Sequence, residues 1–313
     1  MPIRVPESLP ARKALGNENI FLMPHDRAFT QDIRPLQLLL LNLMPTKIET
    51  EKQLLRLLSN TPLQLDIDFM TTASYMGKHT PRSHLDSFYQ THDKIKDKYY
   101  DGMIITGAPV ETLEFEEVIY WDELKAIMNW SKQHVFSTLH ICWGAQAALY
   151  HHYGVPKYPL SDKLFGVFSH RCVSAQPISL FRGLDDVFSV PHSRHTEIRA
   201  TDVANVPSLS LLSVSDESGV FALLAEEGRQ IFFTGHVEYD ADTLKKEYLR
   251  DLDQGLPIKM PQHYFPENDP NKEPLRQWHS TGSLLFSNWL NYYVYQETPY
   301  VITTIPDTRQ MRS

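Results

Sequence analysis

The sequence predicts an α/β fold, a mostly parallel sheet flanked by helices, and two observations support that prediction. Short apolar runs alternate with amphipathic helical segments at a spacing of roughly 30 residues, as in parallel sheets built from strand-helix-strand units. The runs in the first half are apolar on both faces, which is typical of strands covered on both sides. With 313 residues, 42% of them hydrophobic and 22% charged, the chain can bury such a core as a single domain, 1–313.

The first half of the chain shows the clearest alternation. The predicted strands are PLQLLLLNL (35–43), LQLDIDFM (63–70), YDGMIITGAP (100–109) and VFSTLHI (135–141). The first helix, MPTKIETEKQLLRLLSN, has Pro45 near its start and a stripe formed by Ile48, Leu54, Leu55 and Leu58. Further helices are predicted near 81–89, in EEVIYWDELKAIMNWSKQH and in WGAQAALY.

The pattern loosens after Tyr153. LSLLSVSDESGVFALLAEEGRQIFFTGHVE predicts short strands added antiparallel to the same sheet. A helix in ADTLKKEYLRDLDQ is expected to end at Gly255, and a last apolar helix, SLLFSNWLNYYVYQ, precedes Pro299. We interpret residues 1–34 as an irregular arm, with a short helix in PARKAL, and residues 256–313 as a C-terminal extension.

Composition excludes several classes of function. The net charge is −8 and no basic stripe is present, which argues against a nucleic-acid partner. No apolar run approaches the ~18 residues needed to cross a bilayer, so we expect no membrane association. The two cysteines, Cys142 and Cys172, cannot form a disulfide framework, which fits a cytoplasmic protein. We assign Cys172 to packing.

Metal ligation is not expected either. The histidine pairs are His151 with His152 and His192 with His195, and neither has a cysteine or carboxylate at the usual ligand spacing. No glycine-rich phosphate loop is present, so no resident cofactor is predicted.

Cys142 lies where the strand VFSTLHI meets the helix WGAQAALY. In open α/β sheets ligands bind at the carboxyl ends of strands, and a nucleophile on such an elbow lies beside backbone N–H groups that can receive an oxyanion. The helix N-terminus also favours the thiolate. A buried structural cysteine is the competing interpretation.

A base and its orienting group follow in FFTGHVEYD (232–240). His236 comes after an apolar strand and a glycine, and Glu238 is two residues further, where an extended chain points side chains the same way. A cysteine nucleophile requires such a pair. A single histidine among fourteen is otherwise most often a surface or core residue.

These residues carry a resemblance. Cys142, Gly144 and Gln146, followed by Gly-His-x-Glu, resemble the class I glutamine amidotransferase superfamily, with its flavodoxin-like three-layer fold, although His140 replaces a usual glycine and Val237 a usual proline. A closer resemblance is to the homoserine O-acyltransferases of the transsuccinylase type, and it runs from Met1 to about Tyr300. The segments that carry it are MPIRVPESLPA, IRPLQLLLLNLMPTKIETEKQLLRLLSNTPLQ, YDGMIITGAP, CWGAQAAL, PHSR, TGHVEYDADTL and LLFSNWLNYYVYQETPY.

The resemblance implies roles for particular residues. Cys142 would take the acyl group from acyl-CoA as a thioester, His236 would act as general base and Glu238 would orient it. Homoserine would then accept the acyl group in a ping-pong reaction. The residues that the resemblance places in substrate contacts or near the active site are Lys47, Lys163, Ser193 and Arg250. It also implies a homodimer.

Glu111 bears on the choice of acyl group. In the resembled family a glycine at this position accompanies succinyl transfer and a glutamate accompanies acetyl transfer. A succinyl donor carries its own carboxylate, and two like charges ~4 Å apart at an effective dielectric of ~20 repel by ~4 kcal/mol, roughly a thousandfold in rate. We therefore expect acetyl-CoA as co-substrate and succinyl-CoA as the alternative. The competing interpretation is a solvated loop glutamate within the acidic run ETLEFEE.

Other functions remain open at this stage. On the same scaffold, a glutaminase subunit would release glutamate from glutamine without CoA, and a cysteine peptidase or γ-glutamyl hydrolase would use water as acceptor. A binding protein with an inert Cys142 is the non-enzymatic alternative, and labelling of the thiol with iodoacetamide would separate it from the rest.

Overall fold

The fold is described from a computed structural model, which covers residues 4–5, 9–10, 23–24, 34–75, 80–174 and 176–310. Its strands are β1 (Arg4–Val5), β2 (Met23–Pro24), β3 (Leu36–Leu41), β4 (Leu65–Met70), β5 (Tyr89–Gln90), β6 (Tyr100–Ile105), β7 (Val135–Ile141), β8 (Tyr158–Cys172), β9 (Val187–Glu197), β10 (Leu209–Ser215), β11 (Gly219–Ala225) and β12 (Gln230–Phe233).

The helices alternate with the strands through the first half of the chain. They are Lys47–Leu58, Arg82–Phe88, His92–Ile95, Trp121–His134, Trp143–Tyr153, Ala200–Ala204, Thr243–Asp253, His279–Asn288 and Ile305–Gln310, with a π-helical segment at Trp289–Tyr295. Short 3₁₀ turns occupy Phe115–Glu117, Ser179–Phe181, Glu226–Gly228, Pro266–Asn268 and Ile302–Thr304.

One sheet runs through the molecule in the order β2-β1-β4-β3-β6-β7-β12-β11-β10-β8-β9, with β5 beside β4. Every pairing from β2 to β12 in that order is parallel, and every pairing from β12 to β9 is antiparallel. The predicted mostly parallel sheet with antiparallel additions is therefore confirmed. The strand β7 matches the predicted range 135–141 and is buried along its whole length.

The sheet separates two apolar layers, which gives the three-layer arrangement. Alternate residues of β3 point to opposite faces: Leu38 and Leu40 pack with helices Lys47–Leu58 and His279–Asn288, whereas Leu39 and Leu41 pack with helices Trp121–His134 and Trp143–Tyr153. Residues 279–295, assigned from sequence to a C-terminal extension, thus contribute to the central core. Most of the predicted arm 1–34, including PARKAL, lies outside the described residues, and Arg4–Val5 pairs with β4.

The sequence analysis missed the long antiparallel hairpin β8–β9. Much of β8 is exposed and it contains Pro159, charged residues and Gly166, so it lacks an apolar run. Its pairing with β9 also shifts register between Pro159 and Leu164. This hairpin matters because it brings two of the candidate binding residues, Lys163 and Ser193, to the site.

One helix boundary differs from the prediction, and another agrees with it. The segment predicted as a helix from residue 116 is helical only from Trp121, and the 3₁₀ turn Phe115–Glu117 precedes it. Helix Thr243–Asp253 ends as predicted, since Gly255 has a φ of 67° and its N–H bonds to Leu252 O at 2.9 Å.

Candidate active site

Cys142 occupies a tight elbow between β7 and helix Trp143–Tyr153. Its backbone has φ 52° and ψ −118°, a conformation that non-glycine residues rarely adopt. The Cys142 N–H donates to Phe233 O at 2.6 Å, and the Cys142 carbonyl accepts from Ala145 and Gln146 N–H at 3.0 and 3.1 Å. Hydrogen bonds from the sheet and from the helix therefore hold the residue in place from both sides.

Two glycines allow the close packing around this elbow. A Cβ added to Gly144 would lie 2.6 Å from Thr106 O, so the helix can sit directly on the end of β6 only without a side chain there. A Cβ added to Gly107 would lie 3.7 Å from both Cys142 Sγ and His236 Cε1. The main chain after β6 thus passes beside the thiol and the imidazole.

His236 and Glu238 follow β12, the strand that pairs in parallel with β7. His236 Nδ1 and Glu238 Oε1 are 2.6 Å apart, and both side chains are buried. Burial lowers the pKa of His236, but the charges of Cys142 and Glu238 and hydrogen bonds to both raise it well above the ordinary value. The imidazole is therefore a strong base that faces the thiol and is oriented by a carboxylate.

Cys142 and His236 line a cavity of about 460 Å³ at the carboxyl ends of β6, β7 and β12, and Glu238 holds His236 from outside the cavity lining. We call Cys142, His236 and Glu238 the catalytic wall. The cavity is lined by Met44, Gly107, Ala108, Pro109, Glu111, Thr112, Cys142, Lys163, Ser193, His195, His236, Tyr239, Glu247, Arg250, Asp251, Gln254 and Leu256. The N–H groups of the first helical turn after Cys142 can receive an oxyanion beside the thiol.

The cavity lining also includes side chains joined by ion pairs and hydrogen bonds, which we call the charged wall: Lys163, Ser193, Glu247, Arg250 and Asp251. Glu247 accepts from Ser193 Oγ at 3.0 Å through each of its oxygens and from Lys163 Nζ at 2.7 Å. Arg250 Nη2 lies 2.5 Å from Asp251 Oδ1 and 3.7 Å from Glu247 Oε1. The structure therefore brings the predicted Lys163, Ser193 and Arg250 together, with two carboxylates between them.

Glu111 also lines the cavity, as the sequence predicted for a residue near the pocket mouth. Its Oε1 accepts the His195 N–H at 3.0 Å. Burial raises the pKa of Glu111, while the His195 N–H and the charges of His236, Lys163 and Arg194 oppose that rise. The Glu111 carboxyl is therefore part of the same cavity lining as Cys142.

Lys47, which the resemblance places near the active site, borders a second cavity that shares Met44 and Pro109 with the cavity of Cys142. It does not line the cavity of Cys142, nor is it an exposed first-turn lysine: it is 3% exposed and borders an adjoining cavity of about 100 Å³. Its ammonium donates to the carbonyls of Asn42 and Met44. Burial lowers its pKa to about 8, partly offset by Glu51. The helix N-terminus turns its first side chain inward, which the apolar stripe alone did not predict.

Two further residue assignments can be compared with the structure. Cys172 is exposed at the end of β8, so its assignment to packing was wrong: the strand runs past the core at this point. His192 is buried and stacks on His170, with ring centroids 5.1 Å apart, whereas His195 faces the cavity. Within the described residues no group of three or more histidine, cysteine or carboxylate side chains could hold a metal ion.

Sequence analysis missed Tyr239 and Glu247. Tyr239 stacks on His236 and Glu247 links three members of the charged wall. For Tyr239 the only available signal was its direct adjacency to Glu238. For Glu247 the signal was its i,i+4 spacing to Asp251 on a helix that also carries Arg250.

No helix in the described part of the chain is long and apolar enough to cross a membrane.

The fold is of the class I glutamine amidotransferase-like type. A glutamine amidotransferase from Thermotoga maritima superposes with a TM-score of 0.52 at 14% identity, covering 84% of this chain and 100% of that one, a likeness of fold alone. Residues 2–300 match the sequence model of the homoserine O-succinyltransferase family. The chain belongs to that family and is an acyltransferase.

Relatives within the family are similar over nearly their whole length. A homoserine O-acetyltransferase from Acetivibrio thermocellus is 58% identical, with 96% of this chain and 98% of the relative covered. Another from Methanomethylophilus alvi is 57% identical, with 97% and 98% covered. A third, from Geobacillus kaustophilus, is 58% identical, with 96% and 99% covered.

Proposed function

We propose that this acyltransferase is a homoserine O-acetyltransferase that moves the acetyl group of acetyl-CoA to the γ-hydroxyl of homoserine, giving O-acetyl-L-homoserine on a route to methionine. The main support is the near full-length identity of 57–58% to relatives that bear that name. The geometry of the catalytic wall supports the same chemistry, because the thiol and the imidazole line the cavity and a carboxylate is hydrogen-bonded to the imidazole.

The first half-reaction transfers the acetyl group to Cys142. The thiolate attacks the thioester carbonyl, N–H groups of the elbow stabilise the oxyanion, and the bond to the CoA sulfur breaks. The leaving CoA thiolate takes the proton from the His236 imidazolium. Cys142 is then an acetyl thioester and His236 is neutral.

The second half-reaction uses that neutral base. His236 removes the proton of the homoserine hydroxyl as its oxygen attacks the acyl-enzyme, and the carbon–sulfur bond to Cys142 breaks. The thiolate and the imidazolium are thereby regenerated. Glu238 keeps the Nδ1 side of the ring hydrogen-bonded, so that Nε2 is the atom that exchanges the proton.

The charged wall suits the recognition of an amino acid. Homoserine carries one carboxylate and one ammonium, and the wall offers cations on Lys163 and Arg250 beside the carboxylates of Glu247 and Asp251. The carboxylate and the ammonium of homoserine can each replace one partner in these ion pairs, so that no net charge is left buried. Arg250 can bind the substrate carboxylate through two parallel hydrogen bonds.

The choice of acetyl over succinyl rests on Glu111 and on the relatives' names. A carboxyl that lines the cavity would oppose the carboxylate of a succinyl group.

The protein is also proposed to work in the cytoplasm and to form a homodimer. Light scattering on a sizing column would test the oligomeric state.

The deciding experiment measures CoA release by purified protein with homoserine, using acetyl-CoA or succinyl-CoA, with Cys142→Ala as control. We expect faster release with acetyl-CoA, its loss in the variant, and an acetylated Cys142 in peptide mass spectra when homoserine is omitted. Preference for succinyl-CoA would contradict the assignment of Glu111 and leave the family in place. Release of ammonia from glutamine without CoA turnover would contradict the proposed function itself.

A further inference from the structure

The face of the His236 ring is covered by Tyr239. The two ring centroids are 4.1 Å apart and their planes differ by 11°, a parallel stack. Since Glu238 binds Nδ1 at the ring's edge, the imidazole is restrained both at one edge and on one face. Both rings are buried, so little water screens the contact.

Tyr239 is held in place independently of the cavity. Its carbonyl accepts the Trp278 Nε1–H at 2.9 Å, and the adjacent Asp240 pairs with Arg56 Nη1 at 2.5 Å. The stack is thus fixed from the protein side and exists before any substrate enters. The Tyr239 hydroxyl has no hydrogen-bond partner among the residues that the structure describes, so removing it disrupts no such bond.

The reaction makes His236 alternate between imidazole and imidazolium. An aromatic face attracts a cation, and the attraction grows when water is excluded. Burial acts in the opposite direction, because it penalises the charged ring. Glu238 and Cys142 supply negative charge against that penalty, but the negative charge of Cys142 disappears once its sulfur is acylated.

We propose that Tyr239 is a positioning residue whose ring face stabilises the protonated form of His236, above all in the acyl-enzyme, where the thiolate no longer does so. The role in turnover rests on the proposed function; the effect on the titration of His236 does not. Tyr239 thereby favours transfer of the homoserine proton to the base.

The direct test is an NMR titration of His236 in Cys142→Ala protein, which lacks the thiolate as the acyl-enzyme does. Signals from ¹⁵N-labelled histidine are assigned by their loss in His236→Asn. Relative to this background, Tyr239→Leu is expected to lower the titration midpoint by about half to one and a half pH units, because the imidazolium loses the aromatic face. Tyr239→Phe keeps the face and is expected to leave the midpoint in place.

Control variants show whether a shift of the midpoint arises from loss of the aromatic face or from a general change in local structure. Tyr248→Leu makes the same change on a half-buried tyrosine that packs against the apolar cluster to which Tyr239 belongs, and it should not move the midpoint. Should Tyr239→Leu fail to fold, Tyr239→Met fills the space without a ring. An unchanged midpoint in the Leu or Met variant overturns the proposal, as does an equal shift in Tyr239→Phe.

Kinetics then extend the test to turnover. In a ping-pong reaction kcat/KM for homoserine reports the free acyl-enzyme, so its acid limb follows His236. We expect that limb to move to lower pH in Tyr239→Leu and to stay in Tyr239→Phe; an unmoved limb in Tyr239→Leu counts against the role in turnover. Absence of CoA release from the wild type would contradict the proposed function, while the NMR titration would still decide the role of Tyr239.

Discussion

The catalytic wall and the charged wall belong to one cavity but are held in different ways. Cys142 and His236 lie at the ends of two hydrogen-bonded parallel strands, β7 and β12, and are buried. Lys163 and Arg250 instead come from the β8–β9 hairpin and from helix Thr243–Asp253, and their partners are other side chains. Backbone fixes the first wall, whereas ion pairs fix the second.

This difference separates chemistry from recognition. A reacting pair must stay aligned to a fraction of an ångström, which backbone hydrogen bonds ensure. Ion pairs between side chains can be exchanged for equivalent pairs with a ligand. Changes in the catalytic wall should therefore lower kcat, and changes in the charged wall should mainly raise the KM for homoserine.

The largest effect is expected from Glu238→Gln. The amide cannot stabilise the imidazolium, so kcat should fall by about a thousandfold or more with a smaller change in the KM for homoserine. Steady-state rates of CoA release measure both. Glu273→Gln, on an exposed carboxylate, is the control; a loss of kcat below about tenfold would contradict the role assigned to Glu238.

Donor choice should respond to Glu111→Gly. Removal of this carboxyl should raise kcat/KM for succinyl-CoA by about 10²–10³-fold, since the like-charge repulsion disappears. Because burial raises the pKa of Glu111, the wild type should also discriminate less against succinyl-CoA as the pH falls and this carboxyl becomes neutral. An unchanged donor preference in the variant would refute the charge argument.

Recognition should respond to Arg250→Ala. Loss of the guanidinium should raise the KM for homoserine by about 10- to 100-fold. Acetylation of Cys142 without homoserine should keep its rate, as followed by rapid-quench CoA release. Lys246→Ala removes a neighbouring exposed cation that pairs with Asp242, and serves as control. Equal loss in both half-reactions would mean that the two walls are not separable.

The residues that the sequence predicted and those that it missed divide between the same two walls. Cys142 and His236 were found because each ends an apolar strand, and the hydrophobic pattern of such strands is local. Glu247 was missed because its role in the site depends on a contact with Lys163, which lies on the hairpin strand 84 residues away along the chain. An exposed hairpin with mixed polarity leaves no strong periodic signal, and no local pattern reports which helix face meets it.

The last predicted effect concerns stability rather than activity. His140 on β7 is fully buried; burial lowers its pKa to about 4, partly offset by a hydrogen bond to Gln230. Between pH 6.5 and 4 the unfolded state binds more protons at this position, so the free energy of unfolding falls as the pH falls, by about 1.4 kcal/mol per pH unit.

Urea unfolding across that pH range measures the effect. His140→Asn should flatten the pH dependence of the unfolding free energy by up to that amount. An identical slope in His140→Asn and the wild type would refute the assignment.

The left-handed backbone of Cys142 has a consequence for evolution and engineering. A φ of 52° costs a non-glycine residue of order 1 kcal/mol or more, which glycine would not incur. Glycine would relieve this strain at the position where a thiol is needed, so a campaign that screens only for melting temperature has no safeguard against losing the reactive sulfur.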